Sequence, residues 1–211
     1  MIKRRFYLIF ISCILTFALL SSSVFSSEKQ EKQTPLKKVV MIIAHKNFRD
    51  EELNIPKAMM EKAGIKVDVA SSSKDTAVGM LGTTVKPDIL IEEIDVKDYD
   101  AFIFVGGVGA SFYWNNKLAH SIAQKALKQG KILCAICIAP VTLANAGVLK
   151  GKKATVWPGE KEKLIAKGAI YTGNKVEVDG NIITASGPDV AEKFGEKIIQ
   201  ILLSTESTKK S

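Results

Sequence analysis

The stretch "ILCAICIAP" (residues 132–140) decides how this 211-residue chain folds. Its first five residues are apolar, as a strand buried on both faces of a parallel sheet requires. The run that follows, "IAPVTLANAG" (138–147), reads as a helix opened by proline and closed by glycine. A strand passing into a helix through one sharp turn makes a nucleophile elbow, with Cys137 at the bend. Its sulfur then stands above the sheet at the positive end of the next helix, a field that favours thiolate over thiol. Ala135 and Ala139 are small enough for the turn to close. The Ile138 amide points at the same spot as the sulfur. "VGGVGAS" (105–111) supplies a second strand end with glycine amides free to approach, and together these donors form a candidate oxyanion hole.

Two other readings of Cys134 and Cys137 stay open at this point. A Cys-x-x-Cys pair at a helix start is how thiol oxidoreductases lower a thiol pKa, and an oxidising compartment favours a disulfide. Against this, Cys134 lies within the apolar strand, where a small buried cysteine is ordinary packing and the strand holds the two sulfurs apart. A structural zinc site needs about four ligands. Only His45 and His120 are at hand, and neither has partner spacing, so no metal is expected. His120 falls on a predicted surface helix and reads as solvated. His45 ends the first strand, close enough to approach the site.

Outward from the elbow, strand and helix alternate. "KKVVMIIAH" (37–45) is a β-branched strand, and "DEELNIPKAMMEKAG" (50–64) is a helix with acids at its start and glycine at its end. "IKVDVAS" (65–71) alternates as a strand. "VGMLGTTVKPDILIEEI" (78–94) holds two short strand candidates. "YDAFIFVGG" (99–107) is a buried strand, "KLAHSIAQKALKQG" (117–130) an amphipathic helix, and "KVEVDGNIITAS" (175–186) a hairpin before the final helix. Continuous apolar strands between helices predict an α/β fold with a mostly parallel sheet covered on both faces. Ligands in such sheets sit at the C-terminal ends of the strands. The loops after Ala44, Val105 and Ile136 are therefore the ones that matter.

The chain begins with Lys3, Arg4 and Arg5, then fifteen apolar residues (6–20), then "SSSVFSS". That is the layout of a secretory signal, expected to be cut after Ser26; an uncleaved anchor is the alternative. The apolar run is short for a membrane span of about 20 residues. Either way the folded part is expected outside the cytoplasm, periplasmic or secreted, with no stable membrane insertion of the mature domain. Cys13 leaves with the signal. Residues 27–37 read as a polar linker and 204–211 as a tail. One domain, 38–203, lies between them. The formal charge of +8 draws on the leader and both tails. The remaining lysines are mixed with glutamates and show no arginine cluster or aromatic interleaving, so no nucleic acid is expected as partner.

Four stretches, "FRDEELNIP" (48–56), "YDAFIFVGGVGAS" (99–111), "AICIAPVTLANAGVLKGKKATVWP" (135–158) and "VDGNIITASGPDVAEKFG" (178–195), together resemble the DJ-1/PfpI family of the class I glutamine-amidotransferase-like superfamily. The resemblance implies a flavodoxin-like three-layer sandwich, often a homodimer, and no cofactor. It places the reactive cysteine at Cys137 and a hydrogen-bonding acid at Glu52. Gly107 and Ile138 become the backbone donors. Gly106 and Trp157 become pocket residues, and Tyr113 and Trp114 are aromatics that wall a pocket, pack the core or meet a second subunit. Glu52 also has a plain reading, as one of three acids favoured at a helix N-terminus. The family's proteolytic branch carries a histidine where this chain has Ile138. Another branch carries one where this chain has Trp157. The resemblance thus implies chemistry on small reactive carbonyls, glyoxalase- or deglycase-like, more than peptidase activity. The non-enzymatic alternatives are a cysteine redox sensor and a holdase.

Overall fold

The computed structural model describes residues 37–204. The leader, the linker up to residue 36 and the tail from residue 205 lie outside the described residues. Ser204, expected in the tail, instead closes the last helix.

In chain order the strands are β1 (Lys38–Ile42), β2 (Lys46–Phe48), β3 (Lys66–Ser71), β4 (Ala77–Gly79), β5 (Thr84–Val85), β6 (Ile89–Leu90), β7 (Ala101–Phe104), β8 (Ile132–Ile136), β9 (Lys153–Ala154), β10 (Ile170–Tyr171), β11 (Val176–Asp179) and β12 (Ile182–Ala185). The α-helices are α1 (Asp50–Lys62), α2 (Lys117–Lys128), α3 (Pro140–Asn145), α4 (Lys161–Ala166) and α5 (Ala191–Ser204). Seven strands form the main sheet in the order β11-β12-β8-β7-β1-β3-β6. All neighbours run parallel except the β11–β12 hairpin.

Strand alternation sorts the core into two faces. Val40, Ile42, Phe102, Phe104, Leu133 and Ala135 face one way, onto Ala119, Ala123 and Ala126 of α2 and Leu143 of α3. Val39, Met41, Ile103, Cys134 and Ile136 face the other, onto Leu53 and Met60 of α1 and Phe194 and Ile198 of α5. These are the expected three layers. Cys134 is wholly buried within the second, doing the packing that its strand position predicts.

Two features hold α1 in place. Its acids Asp50, Glu51 and Glu52 lie in the first turn and Lys62 in the last, matching the helix dipole. Asp50 is not a surface acid, however. Its Oδ2 accepts from the Leu81 amide at 2.8 Å and its Oδ1 from the Thr83 amide at 2.7 Å, which ties the β4–β5 turn to the helix. These bonds favour the ionised form and outweigh burial, so the Asp50 carboxyl lies below its usual range.

Both ends of the described chain leave from one pole. Lys37 precedes the N-terminal end of β1, and Leu202 near the end of α5 shares a small surface cavity with it. Cys137 follows the C-terminal end of β8, which runs parallel to β1 through β7. The elbow is therefore on the opposite pole.

Candidate active site

β8 ends at Ile136, and the next residue turns the chain. Cys137 has φ 62°, one of two non-glycine residues with positive φ among those described. An L-residue there costs about 1 kcal/mol or more, so surrounding bonds must hold it. The Cys137 amide donates to the Ala185 carbonyl at 2.9 Å, and the Trp157 amide donates to the Cys137 carbonyl at 2.8 Å. The Ala139 amide donates back to Ile136 at 3.1 Å, closing the turn. The elbow expected from "ILCAICIAP" is present, and it is strained. Both described cysteines are free, which removes the disulfide reading. Among the described residues no cluster of His, Cys, Asp and Glu could hold a metal ion.

Glu52 sits in the first turn of α1 with no exposed surface. Its Oε2 accepts from the Gly106 amide at 3.0 Å. Its Oε1 is buried without a hydrogen bond of standard geometry, while the Cys137 thiol is near enough to the carboxyl to act on it as a donor. The plain reading of Glu52 as a helix N-terminal acid holds for its place in the first turn, but its full burial beside the thiol goes beyond what that reading requires. The amides of Gly107 and Ile138 are both directed at the Cys137 sulfur. Structure therefore brings together Cys137, Glu52, Gly106, Gly107 and Ile138.

Gly106 is required by close approach. A Cβ there would strike the Glu52 carboxylate, and would lie 2.5 Å from Cys137 Cβ and 2.7 Å from the Ile136 carbonyl. Gly106→Ala is expected to destabilise the fold by about 1–3 kcal/mol, and to slow alkylation of Cys137 because the acid must move. Thermal denaturation and a thiol-alkylation rate check the two parts. A variant that melts and reacts like wild type would contradict this packing.

The protonation of the pair follows from burial. Desolvation raises the Glu52 carboxyl to about 8, against the opposing pull of the thiol and the Gly106 amide. The acid is therefore protonated at neutral pH. Burial and the charge of an ionised Glu52 push the thiol up to about 12, and the amides of Gly107 and Ile138 oppose this. The sequence expectation that a helix field lowers this thiol needs correction. α3 is only six residues long, and burial outweighs it. When Glu52 keeps its proton the Coulombic push disappears, and the amides of Gly107 and Ile138 are then opposed by burial alone.

The thiol opens into a pocket of about 220 Å³ lined by Arg49, Met80, Val108, Ile138, Trp157 and Pro188 along with Gly107. Cys137 is 8 % exposed and Trp157 45 % exposed. Trp157 lines the pocket; Gly106, named with it as a pocket residue, does not, and neither do Tyr113 and Trp114. The buried Tyr113 donates its hydroxyl to the Ile43 carbonyl at 2.9 Å. The Trp114 indole donates to the Ile138 carbonyl at 3.1 Å, bracing the elbow from outside. His120 is not simply solvated: it is half-buried and its Nε2 lies 2.9 Å from the Trp114 carbonyl. His45 does not line the pocket, and its buried Nδ1 has no hydrogen-bond partner. Sequence reasoning missed Arg49. Its signal was its place in "FRDEELNIP", immediately before the helix that carries Glu52.

A parallel α/β sandwich with a strained cysteine elbow and a buried acid beside it defines a class of cysteine-centred α/β proteins. A model of the DJ-1/PfpI family matches residues 37–201. An uncharacterized protein of Methanocaldococcus jannaschii is 44 % identical over 194 residues, covering 90 % of this chain and 94 % of that one. A protein of Pyrococcus horikoshii named a deglycase is 34 % identical over 77 % of this chain and 98 % of its own. The solved ThiJ/PfpI domain protein of Brachyspira murdochii superposes with a TM-score of 0.79 at 31 % identity, covering 80 % of this chain and 98 % of that one. This chain belongs to the DJ-1/PfpI family, and its fold is the flavodoxin-like sandwich of that family.

Proposed function

We propose that this protein transforms small reactive carbonyl compounds, in the manner of a glyoxalase or deglycase, as a stress-protective activity. Cys137 is the nucleophile and Glu52 moves the protons. One observation carries the reading: a fully buried Glu52, bonded to the Gly106 amide, beside the elbow thiol and a small pocket. Relatives named deglycases support the substrate class.

On ionising, the Cys137 thiol releases its proton to solvent, and the thiolate attacks the aldehyde carbon of an α-oxoaldehyde in the pocket. A C–S bond forms and the C=O π pair moves onto oxygen, where the Gly107 and Ile138 amides can stabilise it. Glu52 gives that oxygen its proton. Now ionised, Glu52 takes the hydrogen on the same carbon as a proton, leaving an enediolate. It returns that proton to the neighbouring carbon while the hydroxyl proton passes between the two oxygens. The product is a Cys137 thioester of a 2-hydroxy acid, which water cleaves to release the acid and restore the thiol, while Glu52 regains a proton from solvent. One carbonyl carbon is oxidised as its neighbour is reduced, so no external oxidant or reductant is needed. Among the described residues no histidine lines the pocket, in keeping with Ile138 and Trp157 at the two family positions, and this chemistry requires none.

The leader expected over residues 1–26 supports export, and a homodimer is part of the same reading. The deciding experiment incubates purified full-length protein with methylglyoxal and follows lactate by NMR. Saturable lactate formation, blocked by prior alkylation of Cys137, is expected. Selective oxidation of Cys137 with no lactate would instead favour a redox sensor.

A further inference from the structure

We infer that Arg49 selects the substrate by receiving a carboxylate, so that the compounds handled best are α-oxoaldehydes carrying a negative charge. This rests on the carbonyl chemistry proposed above and names its substrate class.

Among the described residues Arg49 is the only charged one lining the pocket that Cys137 opens into; Met80, Val108, Ile138, Trp157 and Pro188 are apolar. Its position is fixed twice. The Arg49 amide donates to the Gly106 carbonyl at 3.0 Å, which ties it to the glycine that also binds Glu52. Its guanidinium donates to Glu51 through Nε at 2.8 Å and Nη2 at 3.0 Å. That side-on fork holds the guanidinium plane. It leaves Nη1 and the outer N–H of Nη2 with no hydrogen-bond acceptor among the described residues. This end-on edge is a bidentate site for a second carboxylate, a match of geometry that lysine could not offer.

Electrostatics agree. The guanidinium stays charged at any working pH. Cys137 is close enough for the two charges to act on each other. Glu51 offsets part of the charge, yet its side chain is 34 % exposed and partly screened by water. An apolar pocket strengthens what remains, because fewer water dipoles oppose it. A surface Arg–Glu pair on its own stabilises little, so the pairing is better accounted for by the orientation it gives the guanidinium. With the carboxylate held there, the aldehyde end of the same molecule is delivered to the thiol and the Gly107 and Ile138 amides.

The test compares Cys137 alkylation by iodoacetate, which is anionic, and by iodoacetamide, its neutral isostere. Rates are read by mass spectrometry on the full-length protein. Cys134 is fully buried and does not compete. The iodoacetate-to-iodoacetamide rate ratio is expected to exceed that of free cysteine by about tenfold. Arg49→Gln should return the ratio to the free-cysteine value, and Glu51→Gln should raise it above wild type. A wild-type ratio equal to free cysteine, or a raised ratio that survives Arg49→Gln, overturns the inference. Glu51→Gln decides if Arg49→Gln does not fold: no rise in the ratio also overturns it.

Turnover of 4,5-dioxopentanoate against its neutral counterpart 2-oxopentanal then separates this inference from the function it rests on. Preference for the acid supports both. Equal kcat/KM values leave the carbonyl chemistry standing and overturn the role of Arg49. A raised alkylation ratio with neither compound converted leaves the carboxylate site standing and overturns the carbonyl chemistry.

Discussion

Cys137→Ser is expected to lower methylglyoxal turnover by at least about 10³-fold while leaving the fold in place. A serine hydroxyl gives up its proton far less readily than a thiol and needs an adjacent base. The residues lining the pocket include no histidine, and Glu52 at neutral pH holds a proton instead of accepting one. The serine oxygen would thus remain a neutral, weak nucleophile beside two idle amides. Cys137→Gly should be equally inactive but informative in stability. The backbone at this position has φ 62°. Glycine removes a conformational cost of about 1 kcal/mol there and loses a small amount of buried sulfur surface in exchange. Thermal unfolding is expected to show the glycine variant at or slightly above wild type. A melting point well below wild type would mean that the elbow is not strained, and serine turnover near wild type would remove Cys137 from the mechanism.

Glu52→Gln is expected to lower turnover by about 10²–10⁴-fold, because the proton donor and acceptor for both carbon and oxygen is gone. Its effect on stability has the opposite sign at high pH. The folded carboxyl is raised from 4.5 to about 8 by burial. The stabilisation linked to this proton is complete below the unfolded value near 4.5. It falls as pH rises through the interval in which the unfolded chain ionises and the folded one does not, and it is gone above about 8. Glutamine keeps the shape and can still accept from the Gly106 amide, but it cannot ionise. Relative to wild type, the variant should therefore gain stability steadily from about pH 5 to pH 8, by an amount on the order of a few kcal/mol. Urea denaturation at pH 5, 7 and 9 measures this. Parallel curves for the two proteins across that range would mean that Glu52 is ionised in the folded state, and the proton-transfer scheme would have to start from the carboxylate.

The parts of the fold that were legible in sequence are those with long apolar runs. β1, β7 and β8 are buried along almost their whole length, so their runs are unbroken. The β11–β12 hairpin was marked by "DGN" between two alternating segments. Less legible was β2, whose three residues pair with β4 in a separate small sheet. Two of the three are exposed, so no periodicity announces them. The segment 78–94 likewise divides into pieces of β4, β5 and β6 too short to show a pattern. Within the site, backbone devices were readable because glycine pairs and a cysteine between strand and helix have few other uses. The direction of the thiol shift was not. It depends on how deeply Cys137 is buried and on the charge state of Glu52, 85 positions away in sequence, and neither is a local property. Arg49 was hidden for a similar reason: its role comes from a pocket assembled by the segments that follow β2, β4, β7, β8 and β9 and the loop before α5.

The placement of the two chain ends bears on how this molecule can be handled and displayed. Lys37 and Leu202 lie at one pole and Cys137 at the other, separated by the length of the central strands, about 16 Å for five residues. A surface or partner attached directly at Lys37 or Leu202 would meet the underside of the sheet. The mouth of the pocket would then look into bulk solvent. Small molecules diffusing past an array of domains fixed at those residues would find every thiol turned outward.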